Sequence, residues 1–242
     1  MENRPVYDRV LLGLSGEMMA GAGKPIDMEM LNSLAFQLAE IRGYSVQIGV
    51  VIGAGNIWRG AGKQSAMRRP KADMVGMLAT VVNALALQGA LENSAVPACV
   101  LSAIEFEPMV EIEHVEAYTG RRAIDYLQEG KIVIFAGGTG NPYFTTDTAA
   151  ALRALQIEAD VLLKATKVDG VYSSDPLADP KAEKFHKLSL KQALQMGLEV
   201  MDASAFSLCA DNNLPVVVFA LSPEGNIKKV VFGEEIGTIL TP

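Results

Sequence analysis

Two stretches in the second half of the chain carry the residue types that handle phosphate. One is Gly137-Gly138-Thr139-Gly140-Asn141-Pro142-Tyr143-Phe144-Thr145-Thr146-Asp147. The other is Lys164-Ala165-Thr166-Lys167-Val168-Asp169-Gly170-Val171-Tyr172-Ser173-Ser174-Asp175-Pro176. Glycines let backbone N–H groups approach an anion, hydroxyls donate to it, and the N-terminus of a following helix is positive. Each stretch follows an apolar run that reads as a buried strand, 132–136 and 161–163. In an open α/β sheet that carboxyl edge is where ligands bind. Lys164 comes straight after its strand, where an ammonium costs desolvation unless an anion or a carboxylate meets it. A phosphate-facing role is favoured there over a structural ion pair. Asp147 also reads as an ordinary helix-start residue and Asp175 as an ordinary turn acid before Pro176.

Three more segments bear on phosphate. Gly13-Leu14-Ser15-Gly16-Glu17 follows a strand, and Ser15-Gly16 is either an anion-presenting turn or a plain one. Gly53-Ala54-Gly55-Asn56-Ile57-Trp58-Arg59-Gly60 is not the dinucleotide fingerprint, because its third glycine is misplaced. Arg59 there is a candidate fork for phosphate, against the reading of an exposed surface arginine. Trp58, the single tryptophan, reads as packing. Asp73 heads a long helical pattern, as an acid favoured by the helix dipole or as a carboxylate for ribose hydroxyls. Gly21-Ala22-Gly23-Lys24-Pro25 is no Walker A loop, since Met18 and Pro25 hold the positions that need glycine and Ser or Thr.

The elements that must position these residues alternate. Strands are expected at 10–14, 46–52, 98–103, 131–136, 161–163, 216–220 and 238–240. Helices are expected at 28–41, 73–93, 119–128, 147–156, 190–195, 203–212 and 226–232, with Asp27 as an N-cap and Gly130 as a stop. Such alternation implies an α/β fold: a three-layer αβα sandwich with a mostly parallel central sheet. With no repeat or linker, residues 1–242 read as one domain of two lobes.

A chain of 242 residues, half of them hydrophobic, buries a sizeable core. The formal charge of −7 argues against nucleic acid or an anionic membrane as a partner. Cys99 and Cys209 read as buried inert thiols, His114 and His186 are isolated, and no metal-ligand spacing is present. The start lacks an apolar signal region, and no apolar run reads as long enough to cross a bilayer, so the expectation is a cytoplasmic protein.

The order of these segments resembles the bacterial uridylate (UMP) kinases of the amino-acid kinase fold, over about residues 10–240. The likeness includes Leu14-Ser15-Gly16-Glu17, Val50-Val51-Ile52-Gly53 with Gly55-Asn56 and Arg59-Gly60, and Gly76-Met77-Leu78-Ala79-Thr80. It continues through residues 138–147 and 164–172, then Val200-Met201-Asp202 and Val230-Val231-Phe232-Gly233. The resemblance implies transfer from ATP to UMP with Mg²⁺, a homohexamer built from dimers, activation by GTP and inhibition by UTP. It implies a UMP site of Ala54, Gly55, Asp73, Thr139, Gly140, Asn141, Pro142, Tyr143, Phe144, Thr145 and Thr146. Asp73 would hold the ribose hydroxyls and Arg59 the UMP phosphate. ATP would lie on Gly13, Leu14, Ser15 and Gly16, with Gly55 and Arg59 close by and Thr166, Tyr172 and Asp175 around base and ribose. In-line transfer between two anions needs positioning and positive charge. Lys164 and Mg²⁺ would supply charge, while Asp147 and Asp202 orient the cations or carry the metal through water. An acceptor adapted to a carboxylate or carbamate is disfavoured by the 139–147 loop.

Two departures from the family pattern stand out. Gly13 replaces a phosphate-facing lysine, a loss worth about 2–4 kcal/mol of transition-state stabilisation. Ala54 replaces the middle of three glycines, where a methyl crowds a backbone that must touch UMP. Gly13 keeps open the alternative of a uridylate-binding regulator or weakly active homologue. Lys24 is a candidate to replace the missing charge.

Overall fold

The strands form because their residues alternate between two cores. In β1 (Arg9–Leu14), Val10, Leu12 and Leu14 enter one core and Leu11 the other. The computed structural model describes residues 4–59, 67–106, 115–176, 178–198 and 200–242. After β1 come a 3₁₀ turn (Gly16–Met19), α1 (Met28–Arg42), β2 (Gln47–Ile52), α2 (Arg69–Asn93), β3 (Ala98–Ser102) and β4 (Val115–Ala117). Then follow α3 (Gly120–Gln128), β5 (Ile132–Ala136), α4 (Thr146–Gln156), β6 (Val161–Thr166), β7 (Val171–Tyr172) and β8 (Lys184–Phe185). The chain ends with β9 (Lys187–Ser189), α5 (Leu190–Gln195), α6 (Ala203–Asp211), β10 (Val216–Ala220), α7 (Asn226–Val231) and β11 (Thr238–Thr241).

Nine strands make one sheet in the order β4-β3-β5-β2-β1-β6-β10-β11-β9, and β7 pairs with β8 apart from it. Within the large sheet only β10 and β11 run antiparallel. Helices α1, α2 and α7 pack one face, and α3, α4, α5 and α6 the other. The architecture is the expected αβα sandwich. Local signals hold as read: the Asp27 carboxylate accepts from Glu29 N at 2.8 Å, and Gly130 ends α3 at φ +74°.

Three expectations are corrected. The α2 helix begins at Arg69, not at 73, because Arg68 is extended and Pro70 sits in the first turn, where no N–H is needed. Asp73 therefore lies one turn inside the helix. Strand β6 runs to Thr166, so Lys164 is a strand residue. By length and composition α2 is apolar enough to cross a membrane, but 56% of its apolar window is buried inside the protein. Its inner face packs on the sheet through Val81, Ala84, Leu87 and Leu91. The short strands β4, β7, β8 and β9 have two or three residues each, too few to show a period.

Candidate active site

The strand order switches at β1. Strand β2 pairs on one side of it and β6, which follows all the intervening strands, on the other. The crevice beyond such a switch point is where α/β sheets bind ligands. Here the carboxyl ends of β1, β2 and β6 meet the N-terminus of α4 around a central cavity of about 480 Å³.

Each wall has a local cause. From β1 come Gly13, Leu14, Ser15 and Gly16, and from the end of β2 come Ala54 and Gly55. Gly16 must be glycine, because a Cβ there would stand 2.4 Å from the Gly53 carbonyl oxygen. Thr145 caps α4, accepting from Asp147 N at 3.1 Å and Thr148 N at 3.3 Å. Thr145, Thr146 and Asp147 thereby bring the positive end of an 11-residue helix to the cavity wall. On β6, Lys164 and Thr166 close the ring. The Lys164 side chain is 17% exposed and its ammonium is paired with Asp147 Oδ1, so a cavity-facing place and an ion pair coexist.

Asp202 stands behind this wall as the N-cap of α6. Its carboxylate accepts from the Thr145 hydroxyl, from Thr148 Oγ1 at 2.9 Å and from Ala205 N at 3.1 Å. Burial pushes its pKa up, but those hydrogen bonds outweigh it and hold the carboxyl below its ordinary value. Asp202 thus fixes the Thr145 hydroxyl that caps α4.

Two further cavities share walls with the central one. A cavity of about 540 Å³ holds Thr166, Tyr172 and Asp175 with apolar Val171, Leu198 and Val218. Thr166 lines both it and the central cavity. The Tyr172 hydroxyl donates to Asp169 at 2.6 Å. On the other side, a cavity of about 230 Å³ is lined by Asp73, Thr80, Gly138, Thr139, Asn141 and Phe144. It shares Ala54, Gly55, Thr145 and Thr146 with the central cavity. Asp73 Oδ2 accepts from Tyr143 N at 2.8 Å and from Arg69 Nε at 3.2 Å. That contact holds Tyr143 at φ +74°, a strained conformation for a non-glycine residue. Gly140, Pro142 and Tyr143 belong to the same loop but do not line this cavity. Trp58 does line it while its indole N–H donates to Ala72 O at 2.9 Å, so it both packs and borders the site.

Arg59 lies elsewhere. It is largely exposed, pairs with Glu17 and lines a fourth cavity with Lys24 and Lys167. Gly60, its neighbour in the motif, falls outside the described residues. Lys24 closes a tight turn with Gly21 and lines only that fourth cavity, so it does not replace a charge facing Gly13. Lys167 does border the central cavity, with its ammonium 2.6 Å from Glu17 Oε2. The Glu17 carboxyl is held below its ordinary pKa by the hydrogen bond from Lys167, with Arg59 adding to it. Sequence reasoning gave neither Glu17 nor Lys167 a role, although both stand in the phosphate-type stretches. At Gly13 itself an added Cβ would meet Ala150 Cβ at 3.6 Å, an ordinary contact. The Ala54 carbonyl accepts from Ile57 N and Trp58 N at 2.9 and 2.8 Å, so the turn forms with alanine in place.

The model of the amino acid kinase family matches residues 8–220. The solved UMP kinase from Bacillus anthracis is 35% identical, with a TM-score of 0.91 over 98% of this chain and 97% of its own. The UMP kinase from Ureaplasma parvum is 36% identical, with a TM-score of 0.89 over 97% and 99%. The uridylate kinase from Archaeoglobus fulgidus is 27% identical, with a TM-score of 0.73 over 96% and 99%.

Proposed function

The chain belongs to the amino acid kinase family, and from that premise we propose that it is a UMP kinase, making ADP and UDP from ATP and UMP. The observation that carries the reading is the row of three cavities with shared walls, at the switch point of a fold that matches two solved UMP kinases. UMP occupies the cavity of Asp73 and the 139–146 loop, with Asp73 directed to the ribose. The ATP base and ribose occupy the cavity of Tyr172 and Asp175. The phosphates meet in the central cavity. There the bond from the γ-phosphorus to the bridging oxygen breaks, and a bond to a UMP phosphate oxygen forms.

The protein's part is positioning and positive charge. Lys164 and the α4 N-terminus face the transferred group. Asp147 orients Lys164, and Asp202 locks the Thr145 cap. Arg59, whose side chain is 73% exposed, reaches the acceptor phosphate by leaving Glu17. Mg²⁺ neutralises phosphate charge when bound. Asp147, on the wall of the central cavity, would orient that ion or carry it through water, while Asp202, behind the wall, would act through the Thr145 cap.

The same reading takes residues 1–242 as one domain, with an N-terminal acceptor lobe and a C-terminal ATP lobe. It includes a cytoplasmic role in pyrimidine nucleotide synthesis, with GTP and UTP as effectors. It also includes a homohexamer, for which the exposed stripe of Met74, Leu78 and Val82 along α2 would supply one apolar contact face. The alternative of a uridylate-binding regulator draws no support from these two neighbours, which are UMP kinases. A coupled ADP-release assay with UMP, CMP and AMP tests the reading. UMP-specific turnover is expected, and equal or absent turnover with UMP refutes it.

A further inference from the structure

Arg153 is the buried charge that the reaction does not use. It sits in the last turn of α4, is 4% exposed, and pairs with no carboxylate among the described residues. Burying a guanidinium without a counter-ion is costly, and the C-terminal dipole of one helix offsets only part of that. Three groups receive it instead. Its Nη1 donates to Gln156 Oε1 at 2.6 Å, its plane lies 3.8 Å from the Tyr118 ring centroid, and its Nη2 donates to the Gly138 carbonyl at 3.2 Å. Gln156 and Tyr118 are scaffold, themselves joined by the Tyr118 hydroxyl at 2.7 Å. Gly138 belongs to the loop that lines the acceptor cavity.

That loop needs an external restraint. Gly137 and Gly138 are both left-handed, at φ +76° and +60°, and glycine adopts such angles without enforcing them. The corner is held from two sides. Thr80 Oγ1 accepts from Gly137 N at 2.8 Å, and Arg153 holds the next carbonyl. The same helix carries Thr145 and Thr146 at its other end, where they line the acceptor cavity too.

We propose that Arg153 is a positioning residue for the acceptor nucleotide, locking the Gly137–Gly138 corner to α4 so that both halves of the acceptor loop move as one body. It lines none of the three cavities that this reading assigns to the nucleotides. The inference rests on the reading that this cavity binds UMP.

The test is Arg153→Met and Arg153→Lys in the full chain, with steady-state kinetics for both substrates and UMP titration followed by Trp58 fluorescence. In Arg153→Met the KM and Kd for UMP rise about tenfold, the scale of one lost charged hydrogen bond. The kcat and the KM for ATP stay within about twofold, because the central and ATP cavities keep their walls. Arg153→Lys, which keeps a cation but loses the planar fork, falls between the two and serves if the Met variant does not fold. An unchanged UMP KM with only a lowered Tm makes Arg153 a plain core residue and overturns the proposal, as does failure of both variants to fold. A wild type that neither binds nor turns over UMP sinks the functional reading instead.

Discussion

Gly13→Lys adds a cation to the central cavity, and its effect follows from the surroundings of position 13. Strand β1 pairs Gly13 in register with Lys164, and the space beyond its Cα borders Ala150 at an ordinary contact distance. A side chain is therefore accommodated, and the cavity of about 480 Å³ takes its length. The new ammonium lies near Lys164. At a separation of about 7 Å and an effective dielectric of about 20, their repulsion costs roughly 2 kcal/mol, with Asp147 relieving part of it. A bound polyphosphate reverses that sign, since both cations then face several negative oxygens. A properly placed donor contributes about 2–4 kcal/mol at the transition state. The variant should thus have a Tm lower by a few degrees and a kcat/KM for ATP higher by roughly tenfold or more. The assay is coupled ADP release at saturating UMP, with thermal unfolding recorded alongside. A folded variant whose kcat/KM is unchanged or lower refutes the reasoning. It would mean that Lys164, Lys167 and the α4 N-terminus already supply the charge that transfer requires.

Lys164→Met should lower kcat by about 10²–10³ while leaving the UMP Kd from Trp58 fluorescence within about threefold, since Lys164 does not line the acceptor cavity. Gly16→Ala places a methyl against the Gly53 carbonyl and Asn56, so thermal unfolding should show a loss of about 1–3 kcal/mol, and the KM for ATP should rise. Asp202 has a folded pKa below its unfolded value, so its contribution to stability is present above about pH 4 and is lost as pH falls through the folded value. The Tm gap between wild type and Asp202→Asn should therefore be steady near neutrality and close on acidification; a gap that widens in acid contradicts the assignment.

Most of the fold is visible in the sequence because its strands are long apolar runs and its helices carry strong caps. Asp27, Thr119 and Gly130 mark ends that the structure keeps. The start of α2 is obscured because Pro70 and two arginines look like a loop, yet proline in a first turn costs nothing. Local spacing also locates the walls of the site, since glycines and hydroxyls after apolar strands are a local signature. The long-range pairings are invisible to it. Glu17 meets Arg59 across 42 positions and Lys167 across 150, and no periodic pattern records such a meeting. Arg153 reads as one more polar residue on a helix, and only the packing of Tyr118 and Gly138 around it gives it meaning.

The central claim is phosphoryl transfer between two nucleotides across the Lys164 cavity. It is tested most directly by incubating the protein with γ-labelled ATP and UMP and separating the products. The label is predicted to appear in UDP, at a rate that collapses in Lys164→Met. Label released only as inorganic phosphate, or UDP formed equally well without Lys164, would contradict the account.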